Sequence, residues 1–213
     1  MANHIRQVIA AACAALVFGG AAAQERPFSH RLHLDLKLEC LTCHPGAASS
    51  TIAADNNLPE RAVCLRCHQE AVVKTPEPLL VSKFNHALHL KFGNIAPVIA
   101  KAIDAGSYLS PVPAELRKQL DAAGSACTAC HRGLDRSEAV SKAAFPQMAD
   151  CLVCHNRVDP PFSCTKCHSA DARLKPASHT ADYIDVHSTG KANLDKASCI
   201  VCHGRRFTCL GCH

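Results

Sequence analysis

Fourteen of the fifteen cysteines in this chain fall in seven Cys-x-x-Cys-His motifs. The pairs are Cys40 and Cys43, Cys64 and Cys67, Cys127 and Cys130, Cys151 and Cys154, Cys164 and Cys167, Cys199 and Cys202, and Cys209 and Cys212. Each is followed at once by a histidine: His44, His68, His131, His155, His168, His203 and His213. Two thiols at this spacing can add across the vinyl groups of a haem, and the adjoining imidazole then binds the iron from the proximal side. Structural zinc, a disulfide framework and thioredoxin-like redox chemistry also use Cys-x-x-Cys pairs. None of them needs a histidine directly after the second cysteine. With 14 histidines in 213 residues, seven such placements by chance would occur on the order of once in 10^8 sequences, so the motifs are read as seven covalent haem c sites.

Subtracting the seven proximal histidines and His4 leaves His30, His33, His86, His89, His179 and His187. These six are the candidate distal ligands, one fewer than seven irons require. Past residue 23 the chain has a single methionine, Met148, three residues before Cys151. Met148 either fills the seventh position, which would raise the potential of that iron, or packs as an ordinary apolar residue.

Residues 1–23 read as a signal peptide: Arg6 is its charged end, Val8 to Phe18 its apolar stretch, and Ala21-Ala22-Ala23 its small-residue cleavage pattern. Cys13, the remaining cysteine, lies within it. The uncharged run from Gln7 to Ala23 is short for a membrane span, which takes about 20 residues. Cleavage would release a soluble chain on the exported side, so a periplasmic location is expected. The formal charge of +5 then misleads. Loss of Arg6 leaves +4, and each bis-histidine ferric haem adds about −1, giving a holoprotein near −3. Nucleic-acid binding is not expected.

The 190 residues from Gln24 onward leave about 27 for each of seven haems, and aromatic residues make up only 4%. Chains with so little core of their own fold around metal or cofactor. The expected fold is mainly irregular, with short α-helices, little or no sheet, and polypeptide wrapped around a haem core.

The sequence also repeats. Phe28-Ser29-His30-Arg31-Leu32-His33-Leu34 matches Phe84-Asn85-His86-Ala87-Leu88-His89-Leu90. Each copy precedes a haem motif, then an apolar-Pro step (Leu58-Pro59, Phe145-Pro146), then a Cys-Leu-x-Cys-His motif. Three modules are expected: 24–83 with two haems, 84–170 with three and a helical insertion at 90–126, and 171–213 with two.

In this Phe-x-His-x-x-His segment ahead of Cys-x-x-Cys-His, the chain resembles the class III multihaem cytochromes c, the cytochrome c3 and c7 family. The likeness covers the first two modules and is weak over the third. The resemblance implies that His30 serves the haem of His44, His86 that of His131, His33 that of His68 and His89 that of His155. His179 and His187 would serve two of the haems on His168, His203 and His213. Two tetrahaem-family features are missing: a histidine directly after a motif, and one between His131 and Cys151. The chain reads as a seven-haem relative.

In the insertion, Pro97–Ala105 and Pro113–Ala123 read as helices stopped by Gly106 and Gly124. They are expected to cover a haem face, with a partner-docking surface as the alternative. Asp135–Ala144 is a further candidate helix. One helix could carry both His179 and His187, about 80° apart around its axis.

These readings imply an electron carrier rather than an enzyme. It would pass electrons from a quinol dehydrogenase, hydrogenase or similar donor to a reductase or outer-membrane cytochrome. Two other functions stay open. A small-oxyanion reductase would use one open haem, although no Cys-x-x-Cys-Lys motif marks one. A haem filament or respiratory-complex subunit would require self-association.

Overall fold

Short helices and 3₁₀ turns joined by irregular segments make up the described backbone. The protein is described from a computed structural model over residues 27–53, 55, 57–71, 73, 81–139, 141–157, 163–189 and 196–203, with the backbone alone for 187, 188 and 196–198. The expected signal peptide and the last motif (Cys209, Cys212, His213) lie outside the described residues. Among these residues the chain is helical or irregular and forms no sheet. An isolated antiparallel bridge joins Val81 and His168.

Helix α1 (His30–Asp35) starts where the Ser29 hydroxyl accepts the Leu32 amide. Its repeat partner α4 (His86–Leu90) starts the same way, with the Asn85 side chain accepting Leu88 N–H. A polar oxygen at this position satisfies a donor that the first helical turn leaves open. The described motifs all begin on helical turns: α2 (Cys40–Cys43), α3 (Arg61–Cys64), α7 (Ala126–Cys130), α8 (Met148–Cys154), the 3₁₀ turn Cys164–Lys166 and α10 (Lys196–His203). Ser125 and Thr128 form a reciprocal capping box on α7. In α2, α7, α8 and α10 both cysteines are helical, and residues three apart share a helix face, so these turns present their two thiols the same way. In the second and fifth motifs only the first cysteine is helical. Cys67 lies in the turn beyond α3, and Cys167 closes the 3₁₀ turn.

The insertion forms α5 (Ala96–Asp104) and α6 (Ala114–Ala122), close to the expected bounds. At the end of α5, Gly106 (φ +64) lets its own amide reach Ile103 O and the Ser107 amide reach Ala102 O. This double closure needs the left-handed backbone that glycine adopts without steric cost. Gly124 does not end α6 in that way. The chain leaves extended at Ala123, whose carbonyl is taken by the Asn94 amide at 2.7 Å.

Leu116 and Leu120 on α6 pack with Ala96, Ile99 and Ala100 on α5, and with Tyr108, Ala129 and Ala149. Among the described residues, every buried apolar side chain lies between Ala96 and Leu152. Elsewhere large apolar groups stand in the open, Leu36 at 72% and Phe92 at 66% exposure. Among the described residues there is thus one small core, formed by the insertion and the helices it packs on.

Two expectations are corrected. Asp135–Ala144 is not a helix; it holds two 3₁₀ turns, Leu134–Arg136 and Lys142–Ala144. Between them the Ser137 carbonyl accepts Arg31 N–H at 3.1 Å and Glu138 pairs with Arg31 and the Ser29 hydroxyl, so the segment is drawn out to receive α1. His179 and His187 do not share a helix. Helix α9 begins at Tyr183, so His179 lies in the turn before it.

Candidate functional site

The structure brings ten of the candidate histidines together as five pairs of rings. Four pairs join a Phe-x-His-x-x-His histidine to a motif histidine, and they are the four that the family resemblance implies. His30 and His44 have ring centroids 6.4 Å apart and planes 13° apart; for His86 and His131 the values are 6.5 Å and 9°. His33 and His68 stand at 6.0 Å and 52°, and His89 and His155 at 6.1 Å and 40°. The fifth pair is His179 with His203, at 6.1 Å and 6°.

These distances discriminate between chemistries. Rings in direct contact stand closer, as Phe28 does to His33 at 4.5 Å. A ring nitrogen lies about 1.1 Å from its ring centre and metal–imidazole bonds run about 2.0–2.1 Å, so two rings trans across one metal have centroids roughly 6.2–6.4 Å apart. In a tetrahedral zinc site the same rings would stand about 5.2 Å apart. All five pairs, at 6.0–6.5 Å, lie far closer to the trans value than to the tetrahedral one. No three His, Cys, Asp or Glu side chains gather into a metal-holding cluster among the described residues. Each pair has the spacing of two imidazoles on opposite sides of one metal ion, and such a pair could serve a group carried by the motif cysteines.

Hydrogen bonds set the tautomer. His44 Nδ1 donates to Asn57 O at 2.7 Å and His131 Nδ1 to Ala144 O at 3.2 Å. On the helices, His33 Nδ1 donates to Ser29 O at 2.9 Å and His89 Nδ1 to Asn85 O at 2.7 Å. With the proton on Nδ1, the Nε2 lone pair is free to bind metal, and the carbonyl increases ligand basicity. His30 and His86 have Nδ1 atoms without a partner.

Two phenylalanines, read in the sequence only as part of the repeat, position these ligands. Phe28 lies edge-on to His30 (4.8 Å) and parallel to His33 (4.5 Å). Phe84 does the same for His86 (4.7 Å) and His89 (4.3 Å). Tyr183 stacks on His179 at 4.6 Å and 5°. The available signal was the aromatic at a fixed offset from each ligand.

Burial favours the neutral form of three of these histidines and four of the motif cysteines. Burial, with His44, His33 and His131 alongside, lowers the His30 pKa to about 4. Burial also lowers those of His86 and His131. Neutral imidazole is the metal-binding form. Burial and Asp150 push the Cys151 thiol up to about 11, and burial likewise raises Cys127, Cys130 and Cys202. Redox-active cysteines have depressed values instead. The twelve cysteines described are all free of disulfides.

The attachment cysteines are not enclosed by polypeptide. Cys40, Cys67, Cys154, Cys164 and Cys202 are exposed, and the other seven are partly covered. Cys67 departs furthest from the expectation of a wrapped site, being both outside a helix and exposed, with His68 beside it also exposed. The cause is local. Helix α3 stops at Cys64, whose carbonyl accepts both the Cys67 amide at 3.1 Å and the His68 amide at 3.0 Å. Between them Arg66 reaches across to Thr42 O at 3.1 Å, which ties the turn to the first motif by one surface contact rather than by packing. The pairing of His68 with His33 is kept all the same.

The remaining candidates are distributed as follows. Met148 opens α8, half-buried, while His155, the histidine that follows this helix, already faces His89. His168 ends the fifth motif and bridges to Val81, with Ser82 and Lys83 amides on the Cys167 carbonyl. The side chain of His187, and all of His213, lie outside the described residues. No helix described is long and apolar enough to cross a membrane. No protein-family model, no curated protein and no solved structure matches this chain.

Proposed function

We propose that this chain is a periplasmic heptahaem c-type cytochrome of the c3/c7 kind that carries electrons between respiratory redox proteins. The observation that carries the reading is the set of five histidine pairs at trans-ligand separation, each including the histidine of a Cys-x-x-Cys-His motif. Haem c, when bound, supplies a one-electron ferric/ferrous couple.

The chain's own residues do the rest. The cysteine pairs anchor the macrocycle at both vinyl positions. With haem bound, the paired imidazoles would ligate the iron in either oxidation state, so little would need to move when charge changes. Phe28 and Phe84 fix the ring orientations, and the Nδ1–carbonyl bonds keep Nε2 aimed at the metal. Donor and acceptor would be proteins: a quinol dehydrogenase or hydrogenase on one side, a reductase or outer-membrane cytochrome on the other.

Six distal histidines for seven motifs support a second reading, reduction of a small oxyanion at one open iron. Carbon monoxide separates the two. The purified, fully reduced protein is expected to show seven haems by intact mass and no change in its carbon monoxide difference spectrum. A spectral change worth one haem in seven would favour the reductase. A mass without haem would end both readings.

A further inference from the structure

The two repeats are not side by side. Each gives its helix to the other. Helix α1 packs on the turn Leu134–Arg136, which follows the third motif, and α4 packs on the turn Pro45–Ala48, which follows the first. The contacts are equivalent residue for residue. Arg31 and Ala87 are each three residues beyond the repeat phenylalanine, and Ser50 and Ser137 are each six beyond the motif histidine. Arg31 N–H donates to Ser137 O at 3.1 Å, and Ala87 N–H to Ser50 O at 2.9 Å. The carbonyls that receive His44 and His131 also match: Asn57 and Ala144 are each thirteen residues beyond their histidine.

Such a reciprocal exchange relates the two repeats by an approximate local twofold axis. Helix α1 carries the partner of His44 and bonds to Ser137 beyond the third motif, while α4 carries the partner of His131 and bonds to Ser50 beyond the first, so the first and third motifs flank that axis. The second histidine of each helix points outward to a different motif: His33 to His68, His89 to His155.

We propose that the two repeats form one symmetric four-site unit in which the ligand pairs run in the order His33/His68, His30/His44, His86/His131, His89/His155, so that the first and third motifs are neighbours in space and the second is at an outer end. This rests on the haem reading and adds to it the order of sites. Sequence order would instead place the second motif between the first and the third. The exposure of Cys67 and His68 agrees with an outer place. The difference matters for transfer, because the path between the two halves then crosses at the twofold and leaves the His68 site as a terminus.

The test uses the wild-type holoprotein. Intact mass first establishes seven haems; a lower count would indict the haem reading and not the order. The fully reduced protein, with six-coordinate low-spin irons, is diamagnetic, so proton nuclear Overhauser contacts between macrocycles can be read. Each macrocycle is assigned by its contacts to its own cysteines and histidine. Contacts are expected between the group on Cys40 and Cys43 and the group on Cys127 and Cys130. None is expected between the group on Cys64 and Cys67 and that on Cys127 and Cys130. The reverse pattern, or no contact across the first and third motifs, overturns the proposal.

A redox titration of His86→Met gives an independent check. Coulomb coupling falls with distance, so the site of His44 is expected to shift its midpoint more than the site of His68. A larger shift at His68 would refute the order.

Discussion

The angle between two axial imidazoles is a residue-scale property with a measurable consequence. Near-parallel rings split the iron d orbitals that interact with them, and rings turned toward perpendicular bring those orbitals closer and raise the largest g value. The pairs divide into two groups. His30/His44, His86/His131 and His179/His203 are within 13° of parallel, whereas His33/His68 and His89/His155 are tilted by 52° and 40°. The tilt belongs to the second histidine of each helix, whose ring is held between a phenylalanine and its own i−4 carbonyl. The oxidised protein is therefore expected to give two families of low-spin electron paramagnetic resonance signal. The His33→Met variant should remove intensity from the high-g family alone. A single undivided family would refute the assignment. At this scale the motif histidines stood out in the sequence, because Cys-x-x-Cys-His is a local pattern. The exposed turn at Cys67 was not, since all seven motifs look alike in sequence and only the length of the helix beneath each one tells them apart. The pairings needed the repeat and the family resemblance. The phenylalanine wedges were not read, since an aromatic in an apolar-rich segment carries no mark of what it orients.

Between elements, a buried polar cluster ties two consecutive motifs together. Arg132 follows His131 and Asp150 precedes Cys151, and their side chains, 4% and 3% exposed, pair at 2.6 Å. Tyr108 from the insertion donates to the other carboxylate oxygen at 2.9 Å, and the Gln147 amide donates to Asp150 at 2.7 Å to cap α8. Removing one partner of a buried pair leaves an uncompensated charge, which costs about 3–5 kcal/mol. Replacing both with apolar residues avoids that penalty and leaves the lost cap and the lost Tyr108 hydrogen bond, about 1 kcal/mol each. Asp150→Ala is thus expected to be far less stable in guanidinium unfolding than Arg132→Met/Asp150→Leu. Equal losses would show that the pair is not the clamp. The insertion helices were legible from Pro and Gly punctuation and from Leu116 and Leu120 on one face. This cluster was not, because nothing in the sequence links Tyr108, Arg132 and Asp150 before the chain folds. The missing helix at Asp135–Ala144 has a similar cause. Its intrinsic preference yields to a tertiary demand, the carbonyl of Ser137 and the carboxylate of Glu138 being claimed by α1. Helix α6 ends before Gly124 as expected, but without a left-handed glycine; the Asn94 side chain takes the Ala123 carbonyl instead.

At the scale of the whole molecule, stability is unevenly distributed. Buried apolar side chains among the described residues are confined to Ala96–Leu152, and half of them are alanines. The four-site unit of the exchanged repeats spans Phe28–His155, yet its first half contributes only Ser50 to the buried set. Helices as short as α1 and α4 do not hold in water without packing, and what α1 and α4 pack against is chiefly their own paired histidines and each other's post-motif turns. The expectation of a fold built around its prosthetic groups therefore makes a graded claim, not an all-or-none one. A chain made without haem attachment should keep slow-exchanging amides only in α5, α6 and the parts of α7 and α8 beneath them. Residues 27–71 should exchange at the rate of an unfolded chain. Hydrogen exchange read by mass spectrometry, on the haem-free and haem-loaded chains side by side, measures this directly. Equal protection of residues 27–71 in the two forms would mean that the polypeptide holds the first repeat by itself and that the ligand pairs are preformed. Loss of protection there, with the insertion retained, would mean that attachment of the groups is what brings α1 across to Ser137 and α4 across to Ser50, so that loading and assembly of the symmetric unit are a single event.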